Sequence, residues 1–137
     1  MLSFKQLMES TYANQLKNAC KKHDRAPETH CDEIAASVYR KHGNKFSYHA
    51  VVEKGYKGKG DSQNIVHAFM KNQKSGRYFD GSGHTSLKYL KSRWVKTGRK
   101  TTPEGRRIEK INPEDHPDWF KYHYRDRKNH KKFLEDL

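Results

Sequence analysis

Two short apolar runs, NIVHAFM (64–70) and GRYFDG (76–81), joined by KNQKSG, constrain this chain more than any other feature. Runs of branched and aromatic residues this short read as strands, and so tight a polar, glycine-containing connection predicts an antiparallel hairpin. Side chains alternate along a strand, so Ile65, His67 and Phe69 are expected on one face. On the second strand Tyr78 and Asp80 share a face, with Phe79 opposite. Asp80 follows His67 by 13 residues, the interval that a hairpin of this length needs to set the two side by side.

The remaining elements are read around this hairpin. From Leu2 to about Cys20, apolar residues Phe4, Leu7, Met8, Tyr12 and Leu16 recur at helical spacing. KKHDRAPE ends that helix, and Pro27 marks a break. A second helix is expected from Glu28 or Thr29, with Thr29 as N-cap and Gly43 as C-cap. In it Cys31, Ile34, Ala35 and Val38 fall on one face, which places Cys31 in the first turn, turned inward. FSYHAVVE (46–53) reads as a strand and GYKGKGDSQ (55–63) as a loop. The Gly-rich DGSGHTS leads into a helix near TSLKYLKSRWV, with Leu87, Leu90 and Trp94 on one stripe. Residues 97–115 show little periodicity and read as an irregular arm, and Pro117 opens a final helix, DWFKYHYRDRKNHKKFLEDL. The expected fold class is α+β, a small antiparallel sheet packed against helices and closed by a basic C-terminal helix.

A chain of 137 residues suffices for one domain with a modest core. We divide it into an N-terminal helix and linker (1–27), a core (28–95), and an arm with the basic helix (96–137). Only 32% of the residues are hydrophobic, so Tyr, Phe and Trp must supply much of that core. Two cysteines, Cys20 and Cys31, do not make a secreted disulfide framework. No stretch approaches a transmembrane helix, and Gln6 and Glu9 interrupt the apolar run that a signal peptide needs. These features lead us to expect a reducing, cytoplasmic setting without membrane attachment.

The chemistry-bearing pattern is Cys31, His67 and Asp80. Thiolates are favoured at helix N-termini, where unpaired N–H groups and the dipole stabilise negative charge and can also hold an oxyanion. A base must reach the sulfur, and an acceptor must hold that base in the right tautomer. His67, alone among apolar residues in its strand, and Asp80 on the next strand suit those roles. Each also has an ordinary structural reading: a small core thiol, a satisfied core imidazole and a turn-forming Asp before Gly.

A Cys near the start of a helix, then a strand containing His, then a strand ending in Asp-Gly resembles the papain-like and transglutaminase-like thiol enzymes. The matching segments are HCDEIAASVY, NIVHAFM and GRYFDGSGHTS, within residues 28 to 95. The resemblance implies a Cys31 nucleophile, a His67 base and an Asp80 orienting acid. It further implies acyl transfer from an amide or thioester, as in peptidases, deamidases and transglutaminases. Gln63, Asn64 and His84 are candidate oxyanion or substrate contacts. The opening MLSFKQLMES resembles the first residues of proteins of large tailed bacteriophages, some of them packaged in the head, which would set the chain in a host cell or virion.

Two other patterns compete. Cys20, His23, His30 and Cys31 are residue types that bind zinc, but adjacent His30 and Cys31 oppose tetrahedral closure, and we assign no metal. Lys and Arg outnumber acids 29 to 16, a formal charge of +13 that attracts an acidic protein or nucleic acid. Lys57 and Lys59, then Arg93, Arg99, Lys100, Arg106 and Arg107, then Arg125, Arg127 and Lys128 form three basic stretches. The last is interleaved with Tyr122, His123 and Tyr124, which offer stacking surfaces beside phosphate contacts. No Walker loop, dinucleotide fingerprint or zinc finger is present, and thiol chemistry calls for no cofactor. The alternative function is therefore non-specific nucleic-acid binding, or a packaged phage protein without catalysis.

Overall fold

The computed structural model describes residues 4–95, 105–121 and 127–137, with side chains from Tyr12 onward. In chain order they form α1 (Phe4–Lys22), α2 (Cys31–His42), β1 (Phe46–Val52), β2 (Ile65–Asn72), β3 (Tyr78–Asp80), β4 (Gly83–Thr85), α3 (Leu87–Leu90), β5 (Arg107–Ile111) and α4 (Arg127–Glu135). The class is α+β, with one antiparallel sheet ordered β4-β3-β2-β1-β5.

The hairpin closes as a β2–β3 pair with Met70 opposite Phe79 and Lys71 opposite Tyr78. Asn72 organises its turn: the side-chain oxygen accepts from the Lys74 amide at 2.9 Å, and the carbonyl accepts from Gly76 at 2.8 Å. Gly76 has φ +76°, a conformation that favours glycine. One step further along this register Asp80 comes opposite Phe69, which makes His67 its diagonal neighbour.

Alternation divides the sheet into two faces. Phe46, Tyr48, Ala50 and Val52 of β1, with Ala68 and Met70 of β2, pack against Leu16, Ile34, Val38, Trp119 and Phe133. The opposite face is smaller, with Val51, Phe69 and Leu90 at its centre and Leu87, Trp94 and Ile108 around them. Ile65 does not share a face with His67 as expected. The register shifts between Val51 and Val52, which pair with His67 and Ile65, leaving Val66 as an extra residue in β2. Ile65 therefore joins the helix-side core, while Val66 joins the other face.

Other expectations are corrected. The second helix begins at Cys31, because Pro27–Thr29 form a turn, and His30 rather than Thr29 is the N-cap. Gly43 ends that helix as expected, at φ +55°, its amide donating to the Tyr39 carbonyl. The arm contains β5, which pairs along β1 from Tyr48–Ile111 to Val52–Arg107. Gly83–Thr85 form a fourth strand before the next helix. That helix is capped by Ser86, whose hydroxyl accepts from the Tyr89 amide, and passes into a π-helical turn over Lys91–Val95. Among the described residues Pro117–Phe120 form a 3-10 turn rather than the start of a helix, and Arg127–Glu135 form the final helix. Arg99, Lys100, Tyr122, His123, Tyr124 and Arg125 lie outside the described residues.

Candidate active site

His67 is 2% exposed, and its Nε2 lies 3.0 Å from Oδ2 of Asp80, which is 7% exposed. The other Asp80 oxygen accepts from the Ser82 amide at 2.8 Å, which fixes the carboxylate at the end of β3. Gly81 allows this turn to press against the helices. A β-carbon there would stand 2.9 Å from Ile34 Cδ1 and 3.3 Å from Cys20 Sγ.

Asp80 occupies Nε2, so Nδ1 is the ring nitrogen left for the thiol. It makes no well-aligned hydrogen bond among the described residues. Cys31 nevertheless acts on the ring as a hydrogen-bonding and coulombic partner. No aligned hydrogen bond joins the Cys31 thiol to the ring. Burial depresses the pKa of His67, but hydrogen bonding and negative charge from Asp80 and Cys31 outweigh it and carry the value up to about 9. At neutral pH the ring is an imidazolium.

Cys31 is the first residue of α2 and is half-buried. Of the neighbouring amides, Glu33 donates to the Asp32 carboxylate at 2.8 Å and Ile34 to the His30 carbonyl at 2.9 Å. The amides of Cys31 and Asp32 belong to the first turn of α2, whose N–H groups have no intrahelical acceptor, so they are the donors that can meet a developing oxyanion. Asp32, next to the thiol, is turned to its own helix end. Cys20 is different: it is 2% exposed, and burial, reinforced by the charges of Asp80 and Glu33, pushes its thiol up to about 12.

A cavity of about 490 Å³ opens over His67 and Asp80. Its walls include Pro27, Glu28, His84, Tyr89, Arg93 and Trp94. Trp94 lies flat on His67, with ring centroids 4.7 Å apart and planes 10° from parallel, and the Arg93 guanidinium sits 4.9 Å from the Trp94 centroid. Sequence reasoning read Trp94 only as core. The Leu87–Leu90–Trp94 stripe was a usable signal, because it turns the indole toward the sheet face that carries His67.

His84 lines the cavity, whereas Gln63 and Asn64 do not. Gln63 is exposed, and Asn64 gives its amide to both oxygens of Asp61 at 2.9 Å. The zinc-type residues are dispersed: Cys20 is in the core and His23 Nε2 lies 2.6 Å from Asp136. Among the described residues no three potential ligands converge on a metal position.

The basic residues divide by their engagement. Arg106 is tied to Glu53 and to the Trp94 carbonyl at 2.7 Å. Arg107 contacts Glu109 at 2.6 Å and carbonyls of the 53–56 loop. Both brace β5, and Arg107 remains exposed. Lys57, Lys59, Arg127 and Lys128 are exposed. No helix among the described residues is long and apolar enough to cross a membrane. The chain matches no protein-family model, and no curated protein or solved structure is significantly similar to it.

Proposed function

We propose that this chain is a thiol enzyme that transfers an acyl group from an amide or thioester through Cys31. One observation carries the reading: a buried His67–Asp80 pair whose remaining ring nitrogen is left for a cysteine at a helix N-terminus. The helix–strand–strand order of these residues, similar to that of papain-like and transglutaminase-like enzymes, adds support.

In the forward step, with the Cys31 proton carried on His67 Nδ1, the sulfur forms a bond to the carbonyl carbon and the electron pair moves to oxygen, held by the Cys31 and Asp32 amides. Collapse of this intermediate breaks the carbon–nitrogen bond as His67 Nδ1 delivers its proton to the leaving amine, giving a thioester. Neutral His67 then removes a proton from water or an acceptor amine, which attacks the thioester and releases Cys31. Asp80 keeps Nε2–H directed away from the thiol throughout. A free nucleophilic thiol fits a reducing, cytoplasmic setting, or a virion if the chain is phage-encoded.

The test is the pH dependence of iodoacetamide labelling in wild type, Cys20→Ala, Cys31→Ala and His67→Ala. The expected result is labelling confined to Cys31, rapid at about pH 6.5 and slowed at least about tenfold on removing His67. Labelling of Cys31 that follows an ordinary thiol titration near about 8.5 in both wild type and His67→Ala counts against the enzyme.

A second reading, non-specific nucleic-acid binding, draws on the exposed Arg127, Lys128, Lys131 and Lys132 of α4. It expects steeply salt-dependent binding that Cys31→Ala leaves unchanged.

A further inference from the structure

A second cavity of about 480 Å³ adjoins the first, and the two share Pro27 and Ser82 as a common wall. Lys17, Lys21, Asp24 and Arg25 supply its charged groups. Lys17 and Lys21 lie one turn apart on α1, facing the same way. The stem of Lys17 runs beside Gly83, where a β-carbon would meet its Cδ at 3.6 Å. Neither lysine has an ion-pair partner among the described residues, whereas Arg25 is held by Glu33 at 2.8 Å. The nearby carbonyls of Ala19, Cys20 and Lys21 already accept from the amides of His23, Arg25 and Asp24. The charged residues lining this cavity are therefore three cations, Lys17, Lys21 and Arg25, against one acid, Asp24.

We propose that this cavity binds an acidic side chain of a peptide substrate whose amide lies in the adjoining His67–Asp80 cleft. The inference rests on the thiol-enzyme reading for the identity of that cleft, and it names the substrate class: a protein segment with a carboxylate near the reacting amide. The volume lies in the range of sites that enclose a small group. Two lysines in a walled pocket suit one or two carboxylates, while a nucleic-acid strand is held by cations spread along a track. The net charge of +13 favours approach of such a substrate from a distance.

The experiment measures binding of a blocked oligoglutamate peptide and of matched oligoglutamine, with a single-stranded oligonucleotide as competitor. Variants are Lys17→Gln/Lys21→Gln and, as a charge-matched control on the far end of α2 and the turn after it, Lys41→Gln/Lys45→Gln. The expected result is binding of oligoglutamate only, weakened about tenfold or more by the first pair and less than about twofold by the second. Bound oligoglutamate is also expected to slow iodoacetamide labelling of Cys31. Equal loss in both pairs reduces the effect to diffuse charge and overturns the proposal. Displacement by the oligonucleotide that depends on Lys17 and Lys21 overturns it in favour of nucleic acid. Because binding is read without turnover, an inert Cys31 would sink the enzyme reading while leaving the anion site measurable.

Discussion

Trp94 covers His67 face to face at 4.7 Å, closing one side of the imidazole whose edge is hydrogen-bonded to Asp80. Such a cover lowers the local dielectric, which strengthens both the penalty of burial and the attraction of the neighbouring charges. In His67 the attraction wins. Admitting water weakens both effects, so Trp94→Ala is expected to move the pKa of His67 from about 9 back toward 6.5, as followed by imidazole NMR titration. Stability should fall by about 2 kcal/mol through lost stacking on the cation, with Trp94→Phe recovering most of both losses.

Asp80→Asn preserves the shape of the turn and removes the charge. Burial of His67 is then opposed only by Cys31, and the amide no longer enforces a proton on Nε2. Iodoacetamide labelling of Cys31 at about pH 6.5 should slow about 100-fold, with the protein still folded by circular dichroism. Unchanged labelling would remove Asp80 from the site.

Two histidines are expected to place the stability maximum near pH 6.5. The pKa of His67 is raised to about 9, so its contribution is full below 6.5 and is lost as pH rises through 9. The size is on the order of 3 kcal/mol. His49 is lowered to about 4 by burial and by Lys71 and Lys110, so its contribution is full above 6.5 and is lost as pH falls toward 4. Urea unfolding across pH should show a shallower alkaline limb in His67→Gln and a shallower acid limb in His49→Gln.

Gly81→Ala tests the tight approach that seats Asp80. The added methyl meets Ile34, Cys20 and Pro27 within 3.3 Å, all in the packed interface between the helices and the β3–β4 turn. A loss of about 1–3 kcal/mol in denaturant unfolding is expected. A neutral result would mean that this turn moves freely relative to α2.

The hairpin was legible because its information is local: branched residues, a polar turn and an interval of 13 suffice to bring His67 and Asp80 into diagonal register. β5 was not legible. Arg107, Glu109 and Lys110 make RIEKI resemble a charged arm, and the segment becomes a strand only because β1 offers it an edge far away in the chain. The start of α2 was misread because Thr29 resembles a cap, while the turn over Pro27–Thr29 delays the helix by two or three residues. That delay matters, since it makes Cys31 the first helical residue. The Leu87–Leu90–Trp94 stripe pointed Trp94 at the sheet, but that it stacks on His67 depends on tertiary packing of the 87–95 segment.

The extra residue at Val66 has a bearing on how this chain tolerates change in length. Ile65 and His67 stand two apart, and a regular strand would force them to one side. The irregularity works as a phase shifter between two halves of one strand, letting the upstream part serve the core and the downstream part serve the cleft. Deleting Val66 would leave the composition of the strand almost unaltered, yet one half would have to surrender its side of the sheet. Insertions and deletions here should therefore be read as edits to the alignment between scaffold and chemistry, and a sequence missing that residue as one that has lost the cleft even where its Cys, His and Asp remain.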